Sequence, residues 1–203
     1  MIGRQHSAMR LALIAISAVL AGSLAASAET LTTPPTETPA PPAQTNTLDS
    51  LYDRLAKAKT DDEAKGIAGA IERAQLRSGS DTADLLMTRA LTAIKDGKSD
   101  LAVELLSATV KLSPDFAEAW NKRATLYYLK NDYGRSMVDI AETLKREPRH
   151  FGAWAGLGMI LRETGDKKRA YDAFKRALAV NPHLDTVQKA VEELKPEVEG
   201  RDI

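Results

Sequence analysis

Residues 151–184 read FGAWAGLGMILRETGDKKRAYDAFKRALAVNPHL, and they carry the clearest copy of a pattern that recurs along the chain. Its proline, Pro182, lies 34 residues after Pro148, which itself lies 34 residues after Pro114. A period of this length is typical of solenoids in which each repeat is a helix–turn–helix unit. The sequence therefore predicts three repeats, at 83–116, 117–150 and 151–184.

Other positions recur with the same period. They alternate between small side chains, which let two helices approach closely, and large ones, which fill the space between helices. The recurring sets are Leu86, Trp120 and Trp154; Ala90, Ala124 and Gly158; Ala93, Tyr127 and Leu161; Gly97, Asn131 and Gly165; Ala102, Ser136 and Ala170; Leu106, Ile140 and Phe174; and Thr109, Thr143 and Ala177. This order of residues resembles the tetratricopeptide-repeat (TPR) family. The resemblance implies an all-α fold: a right-handed α-solenoid of TPR helix-turn-helix repeats with N- and C-terminal capping helices.

Two features predict where the helices of each repeat end and begin. Gly97, Asn131 and Gly165 occupy the turn inside each repeat, where a left-handed residue is needed and glycine or asparagine adopts it at little steric cost. Ser113-Pro114 and Asn181-Pro182 predict an N-cap residue followed by proline at the first helical position.

The flanks of the repeats predict further helices. Residues 48–82 contain Leu51 and Leu55 at helical spacing and then Thr60, which opens the capping box Thr-Asp-Asp-Glu. This region is interpreted as a helical pair, a degenerate repeat that covers the N-terminal end of the solenoid. Residues 185–203 predict a capping helix that stops near Pro196, followed by a frayed tail.

The N-terminal segment is typical of an export signal. Residues 1–28 combine two early arginines with an apolar run that ends in Ala26-Ser27-Ala28, the small-x-small pattern of a cleavage site. We expect cleavage after Ala28 and a periplasmic protein that begins at Glu29; the alternative is an uncleaved membrane anchor. Residues 29–47 are rich in proline and threonine and predict a disordered linker, although such a segment can also be a ligand for an aromatic groove.

Composition and motifs argue against catalysis and cofactors. Lys+Arg and Asp+Glu are balanced at 28 each, so the basic field that nucleic acid requires is missing. The chain has no cysteine, and its histidines lack metal-ligand spacing. We therefore predict a protein that is not an enzyme, uses no metal or cofactor, binds no nucleic acid and has no integral membrane span after cleavage.

The TPR resemblance implies that a protein or peptide binds the concave surface formed by the first helix of each repeat. The matching positions give a predicted groove of Met87, Leu91, Ile94, Asn121, Thr125, Tyr128, Met159 and Arg162. The alternative is that these side chains pack against one another or against the N-terminal helices. One TPR subclass grips the C-terminal carboxylate of chaperones, but the matching positions here hold Met87, Leu91, Lys122, Gly152 and Gly156, so that clamp is absent.

Two arginines depart from the family pattern. Arg89 and Arg123 occupy a column that is usually leucine, where a buried guanidinium needs a partner. Asp139 is the expected partner of Arg123 in a structural ion pair, and Glu104 is one candidate for Arg89.

The chain is similar to small periplasmic TPR proteins of Gram-negative bacteria. This similarity implies a scaffold or adaptor for protein–protein interaction in cell-envelope assembly or integrity. The alternative is a holdase-like chaperone for exported proteins. The sequence leaves the oligomeric state open.

Overall fold

The computed structural model describes residues 47–200, and all of the described secondary structure in them is helical. The predicted signal peptide, the linker up to residue 46 and the last three residues lie outside this range. The helices are α1 (Leu48–Leu55), α2 (Asp61–Gln75), α3 (Asp81–Lys95), α4 (Ser99–Leu112), α5 (Ala117–Leu129), α6 (Tyr133–Arg146), α7 (Phe151–Glu163), α8 (Lys167–Val180) and α9 (Asp185–Val198). The prediction of an all-α solenoid of helix pairs is confirmed.

The repeats are the pairs α3–α4, α5–α6 and α7–α8, and each pair also packs against the first helix of the next. One apolar cluster joins α3 and α4 to Ala119 and Leu126 of α5. Another joins α7 and α8 to Val187 and Leu194 of α9. No repeat completes its core alone, which is why a solenoid requires consecutive repeats and a cap.

Within each repeat, the size of the side chain at the eighth position, on the first helix, complements the size of the side chain that faces it from the second helix. The first two repeats place Ala90 and Ala124 with Leu106 and Ile140, whereas the third places Gly158 with Phe174. A Cβ atom on Gly158 would lie 2.5 Å from the Phe174 ring. Glycine is therefore required at 158 because the larger ring takes the space that alanine has in the other repeats.

One residue in the turn inside each repeat has a left-handed backbone conformation, as the sequence predicts. Gly97 has φ +72°, Asn131 has φ +57° and Gly165 has φ +85°. Asn131 is the one non-glycine residue with positive φ in the described part of the chain. The prediction for these three positions is confirmed.

The prediction for the prolines was wrong. Ser113 and Asn181 end helices α4 and α8, and the next helices begin only at Ala117 and Asp185. The prolines lie in the intervening loops, where their carbonyls accept a hydrogen bond from the fourth residue of the next repeat. The bonds are Trp120 Nε1 to Pro114 at 2.9 Å and Trp154 Nε1 to Pro148 at 2.8 Å. The proline carbonyl thus ties the loop to the following helix, and the proline is not the first residue of that helix.

The N-terminal hairpin α1–α2 has its own small core of Leu51, Tyr52, Leu55, Ala64, Ile67 and Ile71. Phe151, the first residue of α7, and Val180, the last residue of α8, pack against this core. The hairpin therefore lies along the edge of the solenoid formed by the loops between repeats, which differs from the end-covering position that the sequence indicates. Its burial partners are about 100 residues away in sequence, so local pattern carries no information about this placement.

Polar contacts hold the hairpin to that edge. Arg149 pairs with Asp49 and with Asp53, the latter at 3.3 Å, and its guanidinium lies 4.7 Å from the centre of the Tyr52 ring. His183 bonds to Asp61 at 2.7 Å and to the Ala58 carbonyl at 3.0 Å. These contacts hold α1 to the loop before the third repeat and hold the α1–α2 turn to the loop after it.

The C-terminal helix continues further than predicted. Helix α9 includes Pro196 and ends at Val198. Proline removes the hydrogen bond to the carbonyl four residues earlier, on Glu192. Glu192 is exposed, so water can bind this carbonyl and the helix can extend through the proline.

Candidate functional site

A cavity of about 270 Å³ opens between α5, α6 and α7 on the side of the solenoid formed by the first helices. Its lining is mainly apolar and consists of Asn121, Ala124, Thr125, Tyr128, Leu129, Ser136, Ile140, Gly152, Ala153, Ala155, Gly156, Met159 and Ile160. Four of the predicted groove residues are among them: Asn121, Thr125, Tyr128 and Met159. The structure brings these four together at the junction of the second and third repeats.

The cavity exists because α7 presents small residues to α5. Gly152 and Gly156 are one helical turn apart, and Ala155 lies beside them. A Cβ atom on Gly156 would meet only Ile140 Cδ1, at 3.7 Å, which is ordinary contact. The backbone of α7 does not require glycine here, so the absence of a side chain leaves open space.

Tyr128 forms one wall and is held in place. Its hydroxyl donates to Glu163, which also accepts a hydrogen bond from Tyr133, and the two rings stack with centroids 5.8 Å apart. The bond to Glu163 and partial burial raise the pKa of Tyr128 to about 12. The same bonds, with Tyr128 first, hold the pKa of Glu163 below its usual value. Tyr128 is thus an uncharged, pre-positioned ring beside the cavity.

The mouth of the cavity carries exposed apolar side chains. Met159 is 36% exposed, and Leu129 is also exposed. Methionine is flexible and polarisable, so it adapts to different apolar surfaces. An apolar lip around an apolar cavity is suited to an apolar group entering from outside.

Asn121 supplies a polar edge. Its Nδ2 donates to Glu118 at 3.1 Å. Its Oδ1 accepts no hydrogen bond from the described residues and is available to a donor such as a peptide N–H. This edge can orient a partner whose apolar side chain fills the cavity.

A buried ionic network lies next to this edge. Glu118 bonds to His150 Nε2 at 2.8 Å and to Lys122 at 2.9 Å. The His150 Nδ1 accepts from the Ala153 N–H at 3.1 Å, so the proton of the bond to Glu118 is on Nε2. Burial alone would raise the pKa of Glu118, but His150 and Lys122 outweigh it and lower the pKa. Glu118 and His150 are both buried.

The first repeat contributes less to the groove than predicted. Met87 is only 1% exposed and belongs to the core shared by α3, α4 and α5, so its assignment to the groove is corrected. Small neighbours such as Ala83 and Ala90 leave room for its long side chain to turn inward. Leu91 and Ile94 are partly buried and pack against the same cluster. None of the three lines the cavity.

Arg162 also lies away from the cavity lining. Its guanidinium is 4.0 Å from Glu193 of α9 and 5.9 Å from the centre of the Phe174 ring. Sequence reasoning also missed residues that do line the cavity, including Gly156, Ser136, Ile140 and Ile160. Two glycines one turn apart inside a helix were the signal that could have found Gly156.

The structure also locates the two unusual arginines. Arg123 bonds to both carboxylate oxygens of Asp139 and donates a third hydrogen bond to Ser107 at 3.1 Å. Arg89 is exposed and has no ion-pair or hydrogen-bond partner among the described residues, so the suggested pairing with Glu104 is not formed. Arg89 is exposed because no helix of a preceding repeat covers it within residues 47–200, and an exposed guanidinium needs no partner.

Within residues 47–200, none of the helices combines the length and the hydropathy that crossing a membrane demands.

Comparison with known proteins identifies the repeat family. Tetratricopeptide repeat models match residues 87–143 and 151–184. A TPR repeat-containing protein of Rhizobium etli is 38% identical over 153 residues, which are 75% of this chain and 75% of that protein.

Solved structures show a similar fold. The first TPR of Spaghetti (RPAP3), bound to HSP90 peptide SRMEEVD, has a TM-score of 0.56 at 16% identity, covering 58% of this chain and 94% of that one. The Sgt2 TPR domain from Aspergillus fumigatus has a TM-score of 0.54 at 20% identity, covering 59% of this chain and 81% of that one. At these identities the likeness concerns the arrangement of helices.

Proposed function

Because this chain belongs to the tetratricopeptide-repeat family, whose repeats serve as scaffolds for protein–protein interaction, we propose that it is a periplasmic scaffold or adaptor. It binds a protein or peptide in the cavity between α5, α6 and α7, and it acts in assembly or integrity of the cell envelope. The observation that supports this proposal is the cavity of about 270 Å³ itself, which α7 leaves open with Gly152 and Gly156.

Gly156 argues for binding rather than for stability. Glycine inside a helix costs about 1 kcal/mol relative to alanine. A Cβ on Gly156 would be accommodated, so alanine there would make the helix more stable. The sequence therefore keeps space at the expense of stability, as expected where a ligand occupies the space.

The size of the cavity defines what enters it. A dry apolar cavity of about 150 Å³ is enough to bind benzene. The space here is about 270 Å³, which accepts one or two apolar side chains from a helix or an extended peptide. The Asn121 Oδ1 then accepts a hydrogen bond from the partner.

The partner is recognised through an internal apolar segment and not through a terminal carboxylate. Two positions of the carboxylate clamp are Gly152 and Gly156, which carry no side chain. A third is Lys122, whose ammonium group is 2.9 Å from Glu118 and is already paired. These residues leave no free cation to hold a C-terminal acid.

A pull-down with cross-linking from envelope extracts tests the binding site. The wild-type protein should capture one or a few stoichiometric partners, and Gly156→Leu, which fills the cavity, should lose them. Gly66→Leu is the matched control, because a Cβ there meets nothing within 4 Å on the exposed side of α2. Loss of binding in both variants, or in neither, would contradict the proposed site. Capture of many weak clients would favour the holdase instead of the adaptor.

Location is tested separately. The pattern Ala26-Ser27-Ala28 supports cleavage before Glu29. The protein released by osmotic shock should have the intact mass of a chain that begins at Glu29. Recovery of the full-length mass from membranes alone would contradict a periplasmic scaffold.

A further inference from the structure

Two positions on the first helix of each repeat pack against the preceding repeat, and we call the side of the helix that carries them its seating face. They are the third and tenth residues of the repeat: Ala119 and Leu126, Ala153 and Ile160, and Val187 and Leu194 in α9. All six are at most 8% exposed. In the first repeat the same positions are Leu85, which is 51% exposed, and Thr92, which is also exposed. Within residues 47–200, no helix packs on the seating face of α3.

Helix α4 adds apolar side chains to this outer face of the first repeat. Leu101 is 45% exposed, Leu112 is 50% exposed, and Leu105 is partly buried. The terminal repeat of a solenoid normally presents a polar outer face, because an apolar one is unstable in water. Helix α9 does so at the other end, where Lys189, Glu192, Glu193 and Lys195 are exposed. In the described part of the chain, the C-terminal end of the solenoid therefore has a polar outer face, whereas the outer face of the first repeat exposes apolar side chains.

The outer face has a cleft and a projection. The cleft measures about 390 Å³ and is lined by Thr88, Arg89, Thr92, Ala93, Asp96, Lys98, Leu101 and Leu105. Leu85 is not part of that lining and projects near the start of α3. The cleft thus lies toward the turn between α3 and α4, and the projecting leucine lies toward the opposite end of the same helix.

Unmatched charge is present on the same face. Arg89 has no ion-pair or hydrogen-bond partner among the described residues. Asp96, the residue that follows the last residue of α3, pairs with Lys98 at 3.1 Å, and both are exposed. An exposed pair of this kind contributes little, so Asp96 can exchange its partner at small cost.

We propose that the outer face of the first repeat binds a second copy of this chain in a two-fold symmetric dimer. Helix α3 lies antiparallel to its mate, with the axis near Thr92. Arg89 of each copy then faces Asp96 of the other, and Leu85 of each enters the other's cleft beside Leu101. Two-fold symmetry forms the contact between Leu85 and the cleft twice, once from each copy to the other.

A second copy is the occupant that the rest of the molecule favours. Complementary features lie at opposite ends of one face, which is the requirement for a surface that binds itself. The charged outer face of α9 has no apolar surface to match, so copies do not stack head to tail. The assembly therefore closes at two chains.

Sedimentation analysis of the full chain over a range of concentrations tests the dimer. We expect a reversible change from one to two copies, and Leu85→Glu should weaken association by at least about tenfold, as loss of an interface anchor does. Val138→Glu is the control, because Val138 is 62% exposed on α6, outside this face. Circular dichroism should be unchanged in both variants.

A charge exchange tests the register. Arg89→Asp and Asp96→Arg should each weaken the dimer, and the double variant should restore it. A chain that stays monomeric at every concentration overturns the proposal. So does equal weakening by Val138→Glu, or a double variant no better than the single ones.

Discussion

Arg123 and Asp139 form a two-point ion pair between the helices of the second repeat. Nε of Arg123 is 2.7 Å from one carboxylate oxygen and Nη2 is 2.8 Å from the other. Asp139 is buried, and the guanidinium lies 5.0 Å from the centre of the Trp120 ring. Arg123 is at the position that Leu157 has in the third repeat, so a polar contact takes the place of apolar packing.

Removing one member of this pair should destabilise the protein. Arg123→Ala leaves the buried Asp139 without its charge partner, and we expect the free energy of unfolding to fall by about 3 kcal/mol. Asp139→Ala should have a similar effect. Urea denaturation of both single variants and the double variant measures the coupling, which should be about 1–3 kcal/mol. Additive losses would show that the two side chains do not stabilise each other.

Two glycines of α7 should respond in opposite ways to alanine. Gly158→Ala places a methyl group 2.5 Å from the Phe174 ring, and we expect a loss of about 1–2 kcal/mol in the free energy of unfolding. Adding Phe174→Leu should recover much of this loss, because the first repeat has alanine with leucine. Gly156→Ala should be neutral or stabilise by up to about 1 kcal/mol. Thermal and urea unfolding decide the matter, and equal effects at 156 and 158 would contradict the volume argument.

The walls of the cavity should dominate partner binding. Tyr128→Ala and Met159→Ala should each weaken binding of a captured partner by at least about tenfold, because truncating an apolar anchor costs about 2 kcal/mol. Lys145→Ala, exposed on α6, should change binding little. Isothermal titration calorimetry measures the affinities, and melting temperatures check the fold. A larger effect at Lys145 than at Tyr128 would move the binding surface to the other face of the repeats.

His183 should make stability depend on pH. Both ring nitrogens face acceptors, on Asp61 and on the Ala58 carbonyl, so these contacts favour the doubly protonated ring. The bond to Asp61 is the main cause that raises the pKa of His183 above 6.5. A raised pKa means that this stabilisation is complete below the unfolded-state value and is lost as pH rises through the folded-state value.

We therefore expect the wild-type free energy of unfolding to fall as pH rises above 6.5, and His183→Gln to flatten that dependence. Asp61→Asn removes the main cause and should lower the pKa of His183 in an NMR titration. A wild-type His183 that titrates at or below 6.5 would be inconsistent with the observed contacts.

Sequence alone determined the repeat architecture. The turn residues and the alternation of small and large side chains recur in each repeat. They concern contacts between residues less than one repeat apart in sequence. The left-handed turns at Gly97, Asn131 and Gly165 follow from backbone sterics at a single position. The partner of Arg123 could also be inferred, because helix pairing within one repeat places Asp139 opposite it.

Tertiary structure decided which side chains are available. Met87 is at a groove position by spacing, but Ala83 and Ala90 leave space that it fills from within. The cavity beside Gly156 depends on Tyr128 and Ile140 from the preceding repeat. Whether a position is wall, core or open space is set by the volumes of neighbours from other helices, and a repeat pattern does not specify these.

The placement of the hairpin α1–α2 depended on the tertiary structure in the same way. Its apolar residues predict two helices, and any sufficiently apolar surface could cover them. Phe151 and Val180 supply that surface, and Arg149 and His183 supply the charges that match Asp49 and Asp61. These residues lie together because the stacking of the solenoid brings the loops between repeats to one edge. The helices and their order therefore follow from local sequence patterns, whereas packing between distant residues places the hairpin along one edge of the solenoid.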